Sequence, residues 1–256
     1  MSLTKAVLKF AAPIPKIEEY NRFLFIGPHP DDIEIGAGAT AAKLVDMGKE
    51  VRFLVCIDGR FGTGNAPEGM EGEKLIELRQ IEARNSALKL GVKDVHFLGL
   101  CDGGFYEQKD LIYGIAKEVG EFQPDVIFAP DPCVTCECHV DHLNVGNAAK
   151  QIAFFAPYKE IMEKYGAVGA PVKALAYYMT AKPNRYVKTG GYLKKQLDSI
   201  FTCHISQFPK ECGDGQAIQM YLKLRALDFG IRSFKGCAEG FRVLGVTHMH
   251  CLPEME

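Results

Sequence analysis

Two short stretches of this 256-residue chain carry side chains of the kind that bind metal ions. They are residues 29–32 (HPDD) and residues 139–142 (HVDH). Zinc in proteins favours imidazole nitrogens and carboxylate oxygens, and a catalytic zinc takes three protein ligands and leaves one position for water. A tight turn can aim His29 and Asp32 at one point. We therefore predict a metal site made by His29, Asp32 and His142.

The neighbouring side chains in both stretches offer the other groups that amide hydrolysis needs. Asp31 could accept a proton from the attacking water, whose pKa a metal lowers, and could pass it to the leaving amine. His139 could stabilise the oxyanion of the tetrahedral intermediate. Asp141 could orient an imidazole or cap the helix that follows it. Helix capping is also the alternative role for Asp31 or Asp32, ahead of a helix predicted from Gly36 to Met47.

The elements around these stretches predict a parallel sheet. Apolar runs of strand length, at residues 22–26, 51–57, 95–98 and 125–129, alternate with amphipathic helical segments. This alternation is typical of a doubly wound α/β fold with helices on both faces of the sheet. Ligands of such folds bind at the carboxyl ends of the strands. Both candidate stretches lie there, after the first and fourth predicted strands.

We predict one α/β domain over residues 1–256. Its mostly parallel, Rossmann-like core sheet should span residues 20–160, and an irregular C-terminal extension should span residues 161–256. The first 20 residues are expected to be a loose lead-in. In the extension we predict a strand at 173–180, a loop at 181–186 and two helices.

The composition excludes several classes of protein. A formal net charge of −2 gives no basic excess that would favour nucleic acid. No apolar run approaches the roughly 18 residues that a membrane span requires, so we predict no membrane association. The N-terminus lacks the apolar core of a signal peptide. We therefore expect a cytoplasmic protein whose nine cysteines are mostly reduced.

The two stretches and several later motifs resemble the PIG-L/LmbE-like zinc N-deacetylases. The motifs that carry the resemblance lie at residues 29–36, 79–82, 90–92, 102–103, 124–127, 139–142, 183–184 and 204–207. The resemblance implies a zinc enzyme, with Fe²⁺ or another divalent ion as the alternative metal. It implies removal of the acetyl group from an N-acetylglucosamine-type small molecule. We also expect a homo-oligomer, a trimer or a hexamer.

The resemblance also implies a role for each matching residue. It makes His29, Asp32 and His142 the metal ligands and Asp31 the general base. It implies that His139 stabilises the oxyanion or assists the leaving amine, and that Arg79 and Asp102 hold sugar hydroxyls. Many members of the family have a glutamate directly after the first motif, whereas this chain has Ile33 before Glu34, so we expect Glu34 to be structural.

Several alternatives remain open from the sequence. The chain could be an amidase of another acyl amine or thiol conjugate, or a non-catalytic relative that binds metal or sugar. Cys133, Cys136 and Cys138 have a spacing that would suit a structural zinc or a redox centre. His248 and His250 alternate on a strand-like run, which is either an exposed tail or a segment that reaches a pocket, including that of a neighbouring subunit.

Overall fold

The computed structural model describes residues 3–210, 213–250 and 252. Within them one sheet is formed by β1 (Arg22–Gly27), β2 (Glu50–Ile57), β3 (Asp94–Leu100), β4 (Val126–Pro130), β5 (Ala174–Tyr178), β6 (Arg185–Lys188) and β7 (Ala238–Gly245). The strand order is β3-β2-β1-β4-β5-β7-β6. Strands β1 to β5 are parallel, and β7 runs antiparallel to both β5 and β6. The predicted doubly wound, mostly parallel sheet is confirmed.

Helices cover both faces of this sheet. The α-helices of the described segments are α1 (Leu3–Ala11), α2 (Asp32–Asp46), α3 (Glu73–Leu90), α4 (Gln108–Phe122), α5 (Val140–Phe155), α6 (Lys159–Lys164), α7 (Leu193–Cys203) and α8 (Gly213–Ser233), of which α1 buries no residue. Alternate residues of β1 point to opposite faces, as the pleat requires. Phe23 and Phe25 pack with α2 and α3, whereas Leu24 and Ile26 pack with α4, α5 and α6. No helix in the described part of the chain is long and apolar enough to cross a membrane.

The chain order of the strands changes direction between β1 and β4. Chain connections after β1 and β4 therefore leave the sheet on opposite sides, and a crevice opens between them at their carboxyl ends. Tyr178, the last residue of β5, reaches under this crevice. Its hydroxyl donates to the carbonyl of Ile26 at 2.8 Å. Its ring occupies the space beside Gly36 on α2, where a Cβ would lie 2.2 Å from a ring carbon.

Three elements differ from the sequence-based expectation. The expected lead-in contains α1, because Pro13 and Pro15 follow the helix and do not interrupt it. The helix predicted from Gly36 begins four residues earlier, at Asp32. Part of the expected loop at 181–186 belongs to β6, a short polar edge strand.

The C-terminal extension is also more regular than expected. Its strand β7 was not predicted, because Glu239, Gly240 and Arg242 interrupt the apolar pattern even though most of the strand is buried. The expected strand around His248 is a 3₁₀ helix, Val246–Met249. His248 bonds the N–H of Gly245 and the carbonyl of Ala12, and the His250 ring stacks on Phe154.

Candidate metal and catalytic site

The first candidate stretch forms a tight turn between β1 and α2. The N–H of Asp32 donates to the carbonyl of His29 at 3.3 Å, and the N–H of His29 donates to Asp32 Oδ2 at 2.8 Å. Between them Asp31 has a φ of 121°, a backbone conformation that residues other than glycine rarely adopt. Such strain is concentrated at functional sites, where the surrounding structure maintains it.

The three predicted metal ligands converge on one point. Asp32 Oδ2 lies 3.2 Å from His29 Nδ1 and 3.4 Å from His142 Nε2, which the first turn of α5 supplies. One ligand atom from each of these residues lies within 4.8 Å of the other two. Two imidazole nitrogens and one carboxylate oxygen are the donor set of many catalytic zinc sites, so the residues present fit a divalent metal ion.

The electrostatics of this cluster favour a positive charge at its centre. Burial disfavours charge on the His29 imidazole, but hydrogen bonds to Asp102, Asp141 and Asp32 outweigh it and raise the pKa to about 11. Burial also disfavours charge on the His142 imidazole, but the interaction with Asp32 outweighs it and raises the pKa of His142 to about 9. Burial opposes ionisation of Asp32 as well, but the two histidines hold its pKa well below the usual value. A bound metal ion would supply the positive charge that the protonated histidines otherwise supply to these carboxylates.

Asp31 lies beside the ligands with a different partner. Arg79 Nη2 donates to Asp31 Oδ2 at 3.4 Å and to the carbonyl of Pro30 at 2.9 Å, and Arg79 Nη1 donates to the carbonyl of Gly59. Burial raises the pKa of Asp31 to about 6, and the charge of Arg79 opposes that rise. The carboxylate is therefore ionised at neutral pH and is a stronger base than an exposed aspartate.

Asp141 contacts an imidazole and two backbone N–H groups. Its two carboxylate oxygens accept from the N–H groups of Gly103 and Gly104 at 2.8 and 2.9 Å. Asp141 Oδ2 also lies 3.3 Å from His29 Nε2. The residue that caps α5 is instead His139, whose Nδ1 accepts from the N–H of Asp141 at 3.3 Å.

Asp102 and His139 complete the ring of side chains around His29. Asp102 Oδ1 lies 3.1 Å from His29 Nε2, and Asp102 Oδ2 accepts from the N–H of Phe61. The His139 ring is 45% exposed; it stacks on the His142 ring at a centroid distance of 4.9 Å and meets the His29 ring edge to face at 4.8 Å. Burial lowers the pKa of His139, so its imidazole is neutral at pH 7.

Glu137 belongs to this cluster, although its sequence context did not indicate it. Its Oε2 lies 2.9 Å from His142 Nδ1, and its Oε1 accepts from the N–H of His139 at 2.8 Å. The available signal is a carboxylate two residues before the second motif, but Glu137 lies between two cysteines in a loop with no periodic pattern. Cys133, Cys136 and Cys138 are exposed, and among the described residues the groups able to hold a metal contain none of them.

The motif at residues 204–207 contacts the helices and the loop that surround the site. Buried His204 pairs with Glu34 at 3.3 Å, which agrees with a structural role for Glu34. The hydroxyl and N–H of Ser206 both donate to Glu82 on α3, at 2.6 and 2.9 Å. The Gln207 side chain donates to the carbonyl of Gly62, in the loop after β2.

Comparison with known proteins adds an independent line of evidence. The family model PIG-L, described as GlcNAc-PI de-N-acetylase, matches residues 24–153. A diacetylchitobiose deacetylase of Thermococcus kodakarensis is 30% identical over 254 residues, which cover 98% of this chain and 92% of that protein. A 1D-myo-inositol 2-acetamido-2-deoxy-alpha-D-glucopyranoside deacetylase of Kineococcus radiotolerans is 32% identical over 126 residues, which cover 47% of this chain and 35% of that protein.

Solved structures give the same result for the fold. The N,N'-diacetylchitobiose deacetylase of Pyrococcus horikoshii superposes with a TM-score of 0.85 at 29% identity, covering 99% of this chain and 97% of that one. The 4-carboxy-2-hydroxymuconate hydratase GalB of Pseudomonas putida superposes with a TM-score of 0.72 at 17% identity, covering 88% and 96%. At that identity the second likeness concerns the fold alone.

Proposed function

The chain belongs to the PIG-L family of de-N-acetylases, and from this premise we propose that it is a metal-dependent amide hydrolase. It removes the acetyl group from the amine of an N-acetylglucosamine-type small molecule and releases acetate and the amino sugar. The observation that carries this proposal is the convergence of His29, Asp32 and His142 beside the buried carboxylate of Asp31. This cluster lies at the carboxyl edge of the sheet, where doubly wound folds bind their ligands.

We propose zinc as the metal, held by His29 Nδ1, Asp32 Oδ2 and His142 Nε2. The mixed nitrogen and oxygen donor set supports zinc, although other divalent ions accept the same ligands. When bound, the ion supplies Lewis-acid chemistry, which polarises the amide carbonyl and acidifies a water molecule. His29 is held for this role through its other ring nitrogen, Nε2, by Asp102 and Asp141.

Asp31 has the properties of the general base in this reaction. Its pKa of about 6 lies near the working pH of a cytoplasmic enzyme, which is the condition for efficient proton transfer. Arg79 holds the carboxylate in place and keeps it ionised in a buried setting. We propose that Asp31 takes the proton of the attacking water and then delivers it to the amine nitrogen as the C–N bond breaks.

His139 is suited to donate a hydrogen bond to the developing oxyanion. Its Nδ1 accepts from the N–H of Asp141, so the neutral ring carries its proton on Nε2. Because the ring contacts those of His29 and His142 and is partly exposed, this N–H can reach a substrate carbonyl in the crevice. A donor fixed by the protein in this way costs no reorganisation during the reaction.

The rim of the crevice suits a sugar ring. Phe61 and Phe105, in the loops after β2 and β3, are 57% and 72% exposed, and their ring centroids are 6.1 Å apart. Aromatic faces accommodate the apolar side of a pyranose, while polar groups bind its hydroxyls. We propose the phenylalanine pair as the platform for the ring or for a second sugar. Asp102 and Arg79, which the resemblance implies hold sugar hydroxyls, are 6% and 4% exposed and already bond His29 and Asp31, so we propose that they position those two side chains instead.

Amine release from a panel of acetylated sugars tests this proposal. The panel contains N-acetylglucosamine, its disaccharide, its malate glycoside and its inositol glycoside. We expect amine and acetate in equal amounts from at least one of them, loss of turnover with a chelator, and recovery with Zn²⁺. Absence of amine release across the panel from zinc-loaded protein would contradict the proposal. Turnover that survives complete metal removal would contradict the metal-dependent mechanism.

We also propose that the protein works in the reducing cytoplasm. The cysteines of the described segments are unpaired, and three of them lie exposed in the loop before α5. Exposed thiols persist in reducing compartments, whereas oxidising ones convert them to disulfides. Thiol titration of protein purified under anaerobic conditions checks this point.

A further inference from the structure

Helix α8 carries a continuous row of exposed apolar side chains that the fold does not use. Met220, Leu224, Leu227 and Ile231 are 61%, 59%, 48% and 66% exposed, and Phe234, directly after the helix, is 99% exposed. Phe234 has a φ of 58° and leaves the path of the helix, whereas the four helical residues are spaced four, three and four residues apart. This is the repeat of a two-stranded coiled-coil seam, in which each side chain inserts between residues of a facing helix. We call the four helical residues, Met220, Leu224, Leu227 and Ile231, the α8 stripe.

The opposite face of α8 already supplies its contact with the domain. Leu222, Ala226 and Phe229 are 5%, 5% and 6% exposed. Leu222 packs in a cluster with Ile200 of α7, and α8 lies against β7 and β6. The stripe is therefore a second apolar face of the same helix. Single exposed apolar residues are ordinary, but contiguous rows of this length mark interaction surfaces.

We propose that the α8 stripe is an interface between two copies of this chain, in which α8 of each subunit packs in parallel against α8 of the other. The heptad spacing is the first support, because a helix with this spacing is complementary to a copy of itself. The exposed area is the second. Stable dimers bury about 800 Å² on each partner. The four large side chains of the stripe supply on the order of 300 Å² of this at the burial per side chain implied by transfer energies, and the polar residues beside them supply the rest.

Charge complementarity supports the parallel arrangement. Lys223 and Asp228 flank the stripe on its two sides and are five residues apart. In a parallel pair, residues at these two positions meet across the seam. Lys223 therefore lies beside Asp228 of the partner subunit, and the twofold axis repeats the contact. An antiparallel pair centred on Leu227 would bring the two Asp228 carboxylates together, which is unfavourable.

Both charged residues have room for such contacts. Lys223 Nζ is 3.3 Å from Gln219 Oε1, and Asp228 Oδ2 is 3.3 Å from Arg232 Nη1, each one turn away on the same exposed helix. These are weak contacts between solvent-exposed side chains, whose net contribution to stability is small. Neither holds its side chain away from a facing helix.

The mass of the protein in solution as a function of concentration, by sedimentation or light scattering, tests this interface. We expect wild-type protein to self-associate and Leu224→Lys to halve the mass of the assembly. Leu88→Lys on α3 is the matched control, because Leu88 is also 59% exposed but has no stripe around it. Its assembly should equal that of wild type. A mass unchanged by Leu224→Lys, or a wild-type protein that stays monomeric, would overturn the proposal.

A charge exchange tests the orientation of the two helices. Lys223→Asp alone should weaken association at least several-fold, because it places two carboxylates side by side. Addition of Asp228→Lys should restore association, because the exchange regenerates the pair with its charges reversed. If the double variant is as weak as the single one, the parallel arrangement is wrong. A stripe that binds another protein or a lipid surface would leave every one of these variants monomeric, which also contradicts self-pairing.

Discussion

The Oε2 atom of Glu137 lies 2.9 Å from Nδ1 of His142, the ring nitrogen opposite the one that faces Asp32. The other oxygen of the same carboxylate accepts from the N–H of His139. One side chain therefore sets the tautomer and direction of a proposed metal ligand and the start of the helix that carries it. Carboxylates in this position raise the basicity of the histidine and its affinity for metal.

Loss of this carboxylate should weaken metal binding. Glu137→Ala is expected to lower the affinity for Zn²⁺ by about 10- to 100-fold, the range for outer contacts of metal-bound histidines. Competition with a fluorescent chelator measures that affinity without reference to turnover. Glu160→Ala, on the exposed first turn of α6, is the control and should bind Zn²⁺ like wild type. Equal affinity in both variants would show that Glu137 does not support the metal.

Substitution of the proposed base should separate metal binding from catalysis. Asparagine is the suitable replacement for Asp31, because it tolerates positive φ better than most residues. Asp31→Asn should retain one metal ion per chain and lose about 10²- to 10⁴-fold in kcat, the usual contribution of general acid–base catalysis. Asp32→Asn should lose the metal as well. Metal analysis beside amine-release kinetics distinguishes the two, and full activity of Asp31→Asn would remove it as the base.

The aromatic pair at the rim should affect binding more than chemistry. Phe61→Ala removes one face of the proposed sugar platform, so KM should rise about 10-fold, the effect of about 1.4 kcal/mol, while kcat changes little. Steady-state kinetics on the best substrate of the panel provide the measurement. Phe10→Ala, at an 89% exposed position of α1, controls for loss of an exposed aromatic side chain. A decrease in kcat with unchanged KM would assign Phe61 to another role.

Glu239 predicts a pH-dependent contribution to stability. This buried residue of β7 accepts from the N–H groups of Ala39 and Thr40 on α2 at 3.2 and 2.7 Å, and burial raises its pKa from 4.5 to about 7. The folded state thus binds this proton more tightly than the unfolded state. Its contribution is present in full below pH 4.5 and is lost as pH rises through 7.

The variant Glu239→Gln cannot titrate at this position. The free energy of unfolding of wild type minus that of Glu239→Gln should therefore fall between pH 5 and pH 8, by on the order of 2 kcal/mol. Denaturant titrations at the two pH values measure the difference, in which other titrating groups common to both proteins cancel. A constant difference would mean that Glu239 keeps an ordinary pKa in the folded protein.

Local spacing and strand order are what made the cluster of His29, Asp32 and His142 predictable from sequence. His29 and Asp32 share one turn, and parallel topology alone brings the end of β4 beside the end of β1. The contact between Glu137 and His142 depends on the path of an irregular loop, which has no periodic signal. Strand β7 was missed because Glu239 is buried through contacts with α2, a tertiary effect that the pattern of the strand does not reveal.

Gly36 and Tyr178 determine which parts of this scaffold can be exchanged. The ring of Tyr178 fills the space beside Gly36, and its hydroxyl donates to the carbonyl of Ile26 at the end of β1, just before His29. A redesign of substrate preference through the loops after β2 and β3 leaves this support untouched. A chimaera that takes β5 from a relative without the tyrosine, or that places any larger residue at Gly36, should deform the turn of residues 29–32 however well its loops suit the new substrate.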